Sequence, residues 1–201
     1  MRNSTLVNSA SLFAVLALLI SGCAGTVKNM QEVPAGSAAV VPEAGKAVIV
    51  FMRSSGVGFG IQSSVFEIRD NYPSLVGIVA AKTKVAYRLD PGKHLFMVVG
   101  ETADFMTADI LPNKTYYALV TPRMGLWKAR FSLDPKHKQE LNSSEFNSSL
   151  DECQWVEKTP TSDSWALGNM GSINSKRAEY YPEWSQKPET ERPHLLPEDG
   201  R

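Results

Sequence analysis

Between Lys46 and Asp134 the chain breaks into short runs rich in β-branched and aromatic residues, separated by turn residues about every eight to twelve positions, and this spacing decides what it can fold into. The runs are Ala47 to Arg53, Ser63 to Arg69, Leu75 to Ala80, Lys82 to Leu89, Lys93 to Gly100, Phe105 to Leu111, Thr115 to Thr121 and Trp127 to Leu133. No helical period intrudes, and connections this short leave no room for crossover helices, which excludes a doubly wound α/β sheet. Several runs alternate: Val85, Tyr87 and Leu89 share one face while Lys84, Ala86 and Arg88 share the other. Strands that are wet on one side predict antiparallel sheets. The expected fold is mainly β, an antiparallel sandwich over residues 46–134 followed by a C-terminal helical extension.

Two turns sharpen this expectation. In Asp90-Pro91-Gly92-Lys93, proline sets φ near −65° and glycine supplies the positive φ that a type II turn requires. In Pro112-Asn113-Lys114, asparagine takes the glycine position, being the next most tolerant of left-handed backbone. The segments Leu89-Asp90-Pro91-Gly92-Lys93-His94 and Leu111-Pro112-Asn113-Lys114-Thr115-Tyr116-Tyr117 resemble the paired "PGKH" and "PGKTYY" elements of an uncharacterised domain of bacterial lipoproteins. The resemblance covers Ala47 to Leu133 and implies an immunoglobulin-like or transthyretin-like sandwich. It brings no catalytic residue with it. Two departures are Asn113 in place of glycine, and Asp70-Asn71-Tyr72-Pro73 where the family has a tight glycine turn.

The amino-terminal segment carries an address. Arg2 precedes a continuous apolar run from Ala10 to Ile20, too short to span a hydrocarbon core of roughly 30 Å, and no second long apolar stretch follows. The run ends in Leu19-Ile20-Ser21-Gly22-Cys23, which resembles the lipobox of bacterial lipoproteins. That resemblance implies diacylglycerol on the Cys23 thiol, cleavage of residues 1–22, and frequently an acyl group on the new amine. Two or three chains anchor stably where one does not. Ala24, not aspartate, follows the cysteine, so the expected location is the bacterial outer membrane, lipid-anchored and facing the periplasm. Residues 23–45, aromatic-poor and punctuated by Pro34, Gly36, Pro42 and Gly45, read as a flexible tether.

Beyond Asp134, Phe146, Leu150 and Cys153 recur with helical spacing, and Trp155 and Val156 suggest an extended contact. A second helix is expected from Thr161-Ser162-Asp163, carrying Trp165, Ile173 and Tyr180 down one side until Pro182 stops it. The helical extension is thus residues 135–184, and the three prolines and many charges of 185–201 predict a disordered tail.

Chemistry is sparse. His94, His137 and His194 lie in a strand, a loop and the tail, with no Cys-x-x-Cys and no His-Glu-x-x-His, so no metal and no cofactor are expected. There is no Gly-x-Ser-x-Gly, and Gly56-Val57-Gly58-Phe59-Gly60 is followed by a β-like run where a phosphate-binding turn needs a helix. Glu67, Asp70, Glu101 and Asp104 are scattered. Trp155, Trp165, Tyr180, Tyr181 and Trp184 either pin the helices or form a stacking surface for peptidoglycan sugars. Twenty-one basic side chains against 21 acidic ones give no field for nucleic acid. The expectation is a noncatalytic envelope lipoprotein held to the membrane through acyl chains on Cys23, binding or scaffolding an envelope protein or peptidoglycan. Two alternatives stay open: an envelope hydrolase whose site is built from the Gly56 to Gly60 loop and His94, and an accessory subunit of a secretion or surface assembly.

Overall fold

The computed structural model describes residues 27–34, 41–123 and 129–201, so the Cys23 reading lies outside the described residues. Two sheets pack face to face. One has six strands in the order β1 (Met30–Glu32), β10 (Gln154–Lys158), β5 (Thr83–Leu89), β2 (Ala47–Arg53), β8 (Thr115–Arg123) and β9 (Arg130–Pro135). The other has five, in the order β11 (His194–Leu195), β7 (Ala103–Ile110), β6 (Gly92–Val99), β3 (Ser63–Arg69) and β4 (Tyr72–Val79). Each run singled out in the sequence coincides with a strand over its described residues.

The sheets are mixed, which corrects the antiparallel expectation. β2 runs antiparallel to β5 but parallel to β8, β10 is parallel to β5, and β11 is parallel to β7. The reason lies in the two turns. Asp90-Pro91-Gly92 carries the chain from β5 in one sheet to β6 in the other, and Pro112-Asn113 carries it back from β7 to β8. Neither turn closes a hairpin, so β8 meets β2 in a direction set by the sheet switch. Asn113 does take left-handed φ, +60°, and its side-chain oxygen accepts from Gly45 N at 2.9 Å. Asp70 and Asn71, at φ +47° and +65°, make the two-residue turn between β3 and β4, and Pro73 falls on β4, an edge strand where its missing N–H costs no ladder bond.

Helices cover both outer faces. All seven residues of β2 are buried: Ala47, Ile49 and Phe51 face the other sheet, while Val48, Val50 and Met52 pack with Leu141 and Phe146. Phe146 belongs to α1 (Ser144–Glu152), whose first turn is capped by the Ser143 hydroxyl accepting from Phe146 N at 3.1 Å, and its ring meets Tyr117 edge-on at 5.1 Å. On the five-stranded sheet, Phe66, Leu75, Met97 and Phe105 receive Ala166, Ile173 and Trp184 of α2 (Pro160–Gln186). α2 begins with a reciprocal cap between Thr159 and Ser162 and runs through Pro182, which the sequence reading expected to end it. The helix continues because Trp184, two residues further on and only 4% exposed, packs against Phe105 and outweighs the lost hydrogen bond. Gly168 and Gly171 occupy its exposed side, with nothing within 4 Å of where an alanine methyl would stand. Replacing both by alanine is expected to raise the unfolding free energy by about 1 kcal/mol each, read as a higher urea midpoint at unchanged slope.

Two segments are more ordered than composition suggested. Within the expected tether, β1 pairs antiparallel with β10, and Val27 and Met30 pack against the core. The expected disordered tail is a strap joining both sheets. Leu195, fully buried, sits in β11 beside β7, and Arg201 exchanges two backbone hydrogen bonds with Thr115 of β8 at 2.8 and 3.1 Å. Between them the buried Asp199 carboxylate accepts from Leu196 N, Lys138 N and His137 Nδ1 at 2.8, 3.1 and 2.9 Å. The prolines that suggested disorder restrict the unfolded chain and lower the entropy lost on ordering.

Candidate functional site

One end of the sandwich is closed by a buried polar cluster. Inward-facing positions of three strands converge there: Glu67 on β3, Tyr87 on β5 and His94 on β6. Glu67 Oε1 lies 2.6 Å from His94 Nδ1, and Oε2 accepts from Tyr87 OH at 2.5 Å and from Arg69 Nε at 2.6 Å. The other imidazole nitrogen, Nε2, is 2.9 Å from the Asp90 carbonyl, and the ring stacks on Phe96 at 6.1 Å. Both His94 nitrogens therefore face oxygen acceptors. The Glu67 side chain is 1% exposed and His94 10%.

The electrostatics follow from this packing. Burial raises the Glu67 carboxyl, but the hydrogen bonds from His94 and Tyr87 and the charge of Arg69 outweigh it and hold the group below its ordinary range. Burial and the neighbouring carboxylate push the Tyr87 phenol far above its usual value. A general base needs a lone pair aimed at bound substrate, and a nucleophile needs a base. Here every polar atom of the Glu67–His94 pair already has a partner within the protein.

The glycine loop and His94 are not brought together. Loop 54–62 enters β3 at Ser63, whereas His94 is bonded to Glu67, four residues further along the strand and about 13 Å away at 3.3 Å per residue. His137 pairs with Asp199 in the strap, and His194 Nδ1 meets the Thr107 hydroxyl at 2.7 Å. Among the described residues no group of three or more His, Cys, Asp or Glu side chains is arranged to hold a metal ion. Asp104 is raised by burial, opposed by the Phe105 backbone N–H and the charges of Lys187 and Arg123. Glu101 accepts from Ala129 N at 2.7 Å, and Asp70 makes a turn.

Among the aromatic candidates, Trp184 and Tyr181 stack at 5.9 Å and both meet Phe105, so they dock α2. Trp155 lies under the Lys84 ammonium at 4.5 Å. Trp165 instead borders a groove of about 490 Å³ between α2 and the strand ends, with Lys28, Asn29, Ile61, Gln62 and Lys176. Cys153 is buried, and burial pushes its thiol up to about 11 against weaker opposition from Lys84 and Lys82. In a Cys23→Ser variant at neutral pH, the Cys153 thiol is expected to react with a thiol reagent only after denaturant is added, as a colorimetric thiol titration would show.

Sequence reasoning missed one further residue. Arg53 ends β2 on the inward-facing parity of Ala47, Ile49 and Phe51 and is wholly buried, its guanidinium over the Phe131 ring at 4.9 Å. It donates to the carbonyls of Ile61 and Val57 at 2.5 Å each and of Gly58 at 2.9 Å. The parity of the strand was the available signal.

No protein-family model matches the chain, and no curated protein matches it. The molecule is a mainly β, two-sheet sandwich with a long C-terminal helix, a class defined by architecture alone.

Proposed function

We propose that this chain is a bacterial envelope lipoprotein, anchored in the outer membrane through acyl groups on Cys23 and facing the periplasm, whose sandwich binds or scaffolds and does not catalyse. On this reading the sandwich is of the immunoglobulin-like or transthyretin-like kind found in uncharacterised lipoprotein domains. The observation that carries the proposal is Leu19-Ile20-Ser21-Gly22-Cys23 directly behind the Ala10 to Ile20 run. The noncatalytic part is supported by the saturation of Glu67 and His94, the buried acid–histidine pair at the end of the sandwich. A sandwich with helices on both faces and its polar groups turned inward leaves its edges and loops for partners, such as another envelope protein or peptidoglycan.

Cys23→Ser is expected to move the protein from the membrane pellet to the soluble fraction, while the native protein yields an amino-terminal peptide beginning at acylated Cys23 by mass spectrometry. Unchanged membrane partitioning of the serine variant would overturn the anchor.

A further inference from the structure

The loop between β2 and β3 presents an unusual surface. Over Gly56-Val57-Gly58-Phe59-Gly60-Ile61 apolar residues alternate with glycines and no charge occurs, and Val57, Phe59 and Ile61 are 56%, 51% and 44% exposed. Single exposed apolar side chains are ordinary, but three within five residues form a patch. The loop is held in shape from below. Besides the three Arg53 bonds, Ile61 N donates to the Gly58 carbonyl at 2.9 Å and Val57 N to the Ser55 hydroxyl at 3.1 Å. A buried cation thus fixes the backbone, and the apolar side chains remain in water.

The same end of the molecule is where the chain leads back toward Cys23. Lys28 and Asn29 wall the groove that Ile61, Gln62 and Ser63 also wall, and the Ser162 hydroxyl donates to the Asn29 carbonyl. Val27 packs against the core, and only four residue steps separate it from Cys23, a reach of roughly 14 Å at full extension. With β1 part of the sheet, the tether no longer provides a long spacer on the anchored side.

We infer that Val57, Phe59 and Ile61 form a second, noncovalent contact with the bilayer in which Cys23 is anchored, an inference that rests on the acylation of Cys23. A leash this short holds the nearest loop at headgroup depth, where exposed apolar side chains and a backbone already tied to Arg53 lower the cost of insertion. The loop itself carries no charge from Gly56 to Ile61, so the contact is apolar and persists in high salt.

The test uses the full acylated protein carrying Phe59→Cys, labelled with a polarity-sensitive dye and reconstituted into phosphatidylcholine and phosphatidylglycerol vesicles whose acyl chains are brominated. The buried Cys153 stays unlabelled. Lys93→Cys, whose lysine side chain is 88% exposed at the far end of the sandwich, is the control. The expected result is a blue shift and loss of most emission at position 59, retained in high salt, with neither at position 93. If the protein floats with the vesicles yet position 59 emits as in water, the loop contact is overturned while the anchor stands, and the loop faces something other than lipid. If the protein does not float, the anchor and the loop contact fall together.

Discussion

Glu67→Ala is expected to lower the free energy of unfolding by about 3–5 kcal/mol, the combined cost of a cavity in the core and of buried donors left without their acceptor. The substitution leaves Arg69, His94 and Tyr87 converging on an emptied space, with the Tyr87 hydroxyl and one His94 nitrogen having lost their acceptor. Glu67→Gln keeps the volume and one acceptor oxygen but removes the charge, so it should cost less than alanine and still more than a surface change. Acid titration separates the charge from the packing. Because the folded carboxyl is held below its ordinary value of 4.5, its contribution is complete above that pH and is lost as pH falls through the folded value. Wild-type stability, followed by urea midpoints, should therefore drop more steeply on the acid side than that of Glu67→Gln. Tyr87 acts at the other limit. Its phenol is raised above 10, so the stability it contributes is present below pH 10 and is lost as alkali ionises the unfolded chain first.

How much of this was legible in the chain depends on whether the determining contact is local. The eight runs from Ala47 to Leu133 announce themselves through β-branched content and turn chemistry, and Phe146, Leu150 and Cys153 announce α1 through their spacing. The partners of Glu67 lie 20 and 27 positions away on different strands. All three stand on inward faces, though the sequence was read for parity only at Tyr87, and the pairing register decides that they meet. The parallel pairing of β2 with β8 was hidden for the same reason, since the turn at Asn113 looks like a hairpin turn until the sheets are assembled. In the tail, average composition concealed two decisive side chains: Leu195 fills a core position, and Asp199 gathers three donors. β1 has no period of its own and exists because β10 presents it an edge.

Arg53→Ala should be comparably damaging, about 3–5 kcal/mol, for a different reason. Arg53 has carbonyl partners from its own loop, so its removal strands the Val57 and Ile61 oxygens, leaves the Gly58 oxygen with the Ile61 N–H alone and opens a cavity beside Phe131. Arg53→Met distinguishes these losses. It restores much of the packing and abolishes the desolvation that already lowers the guanidinium pKa, so part of the global stability returns. It restores none of the carbonyl bonds, and residues 54–62 should then open locally, giving rapid amide exchange and protease cleavage in that loop under native conditions. Wild-type-like protection of the loop in Arg53→Met would show that the turn stands without its cation. If the loop does open, the Val57, Phe59 and Ile61 side chains lose their fixed display. The order of the buried guanidinium and the membrane contact of the loop then become one property, since a slack loop must give up its freedom on binding and the native one has already done so.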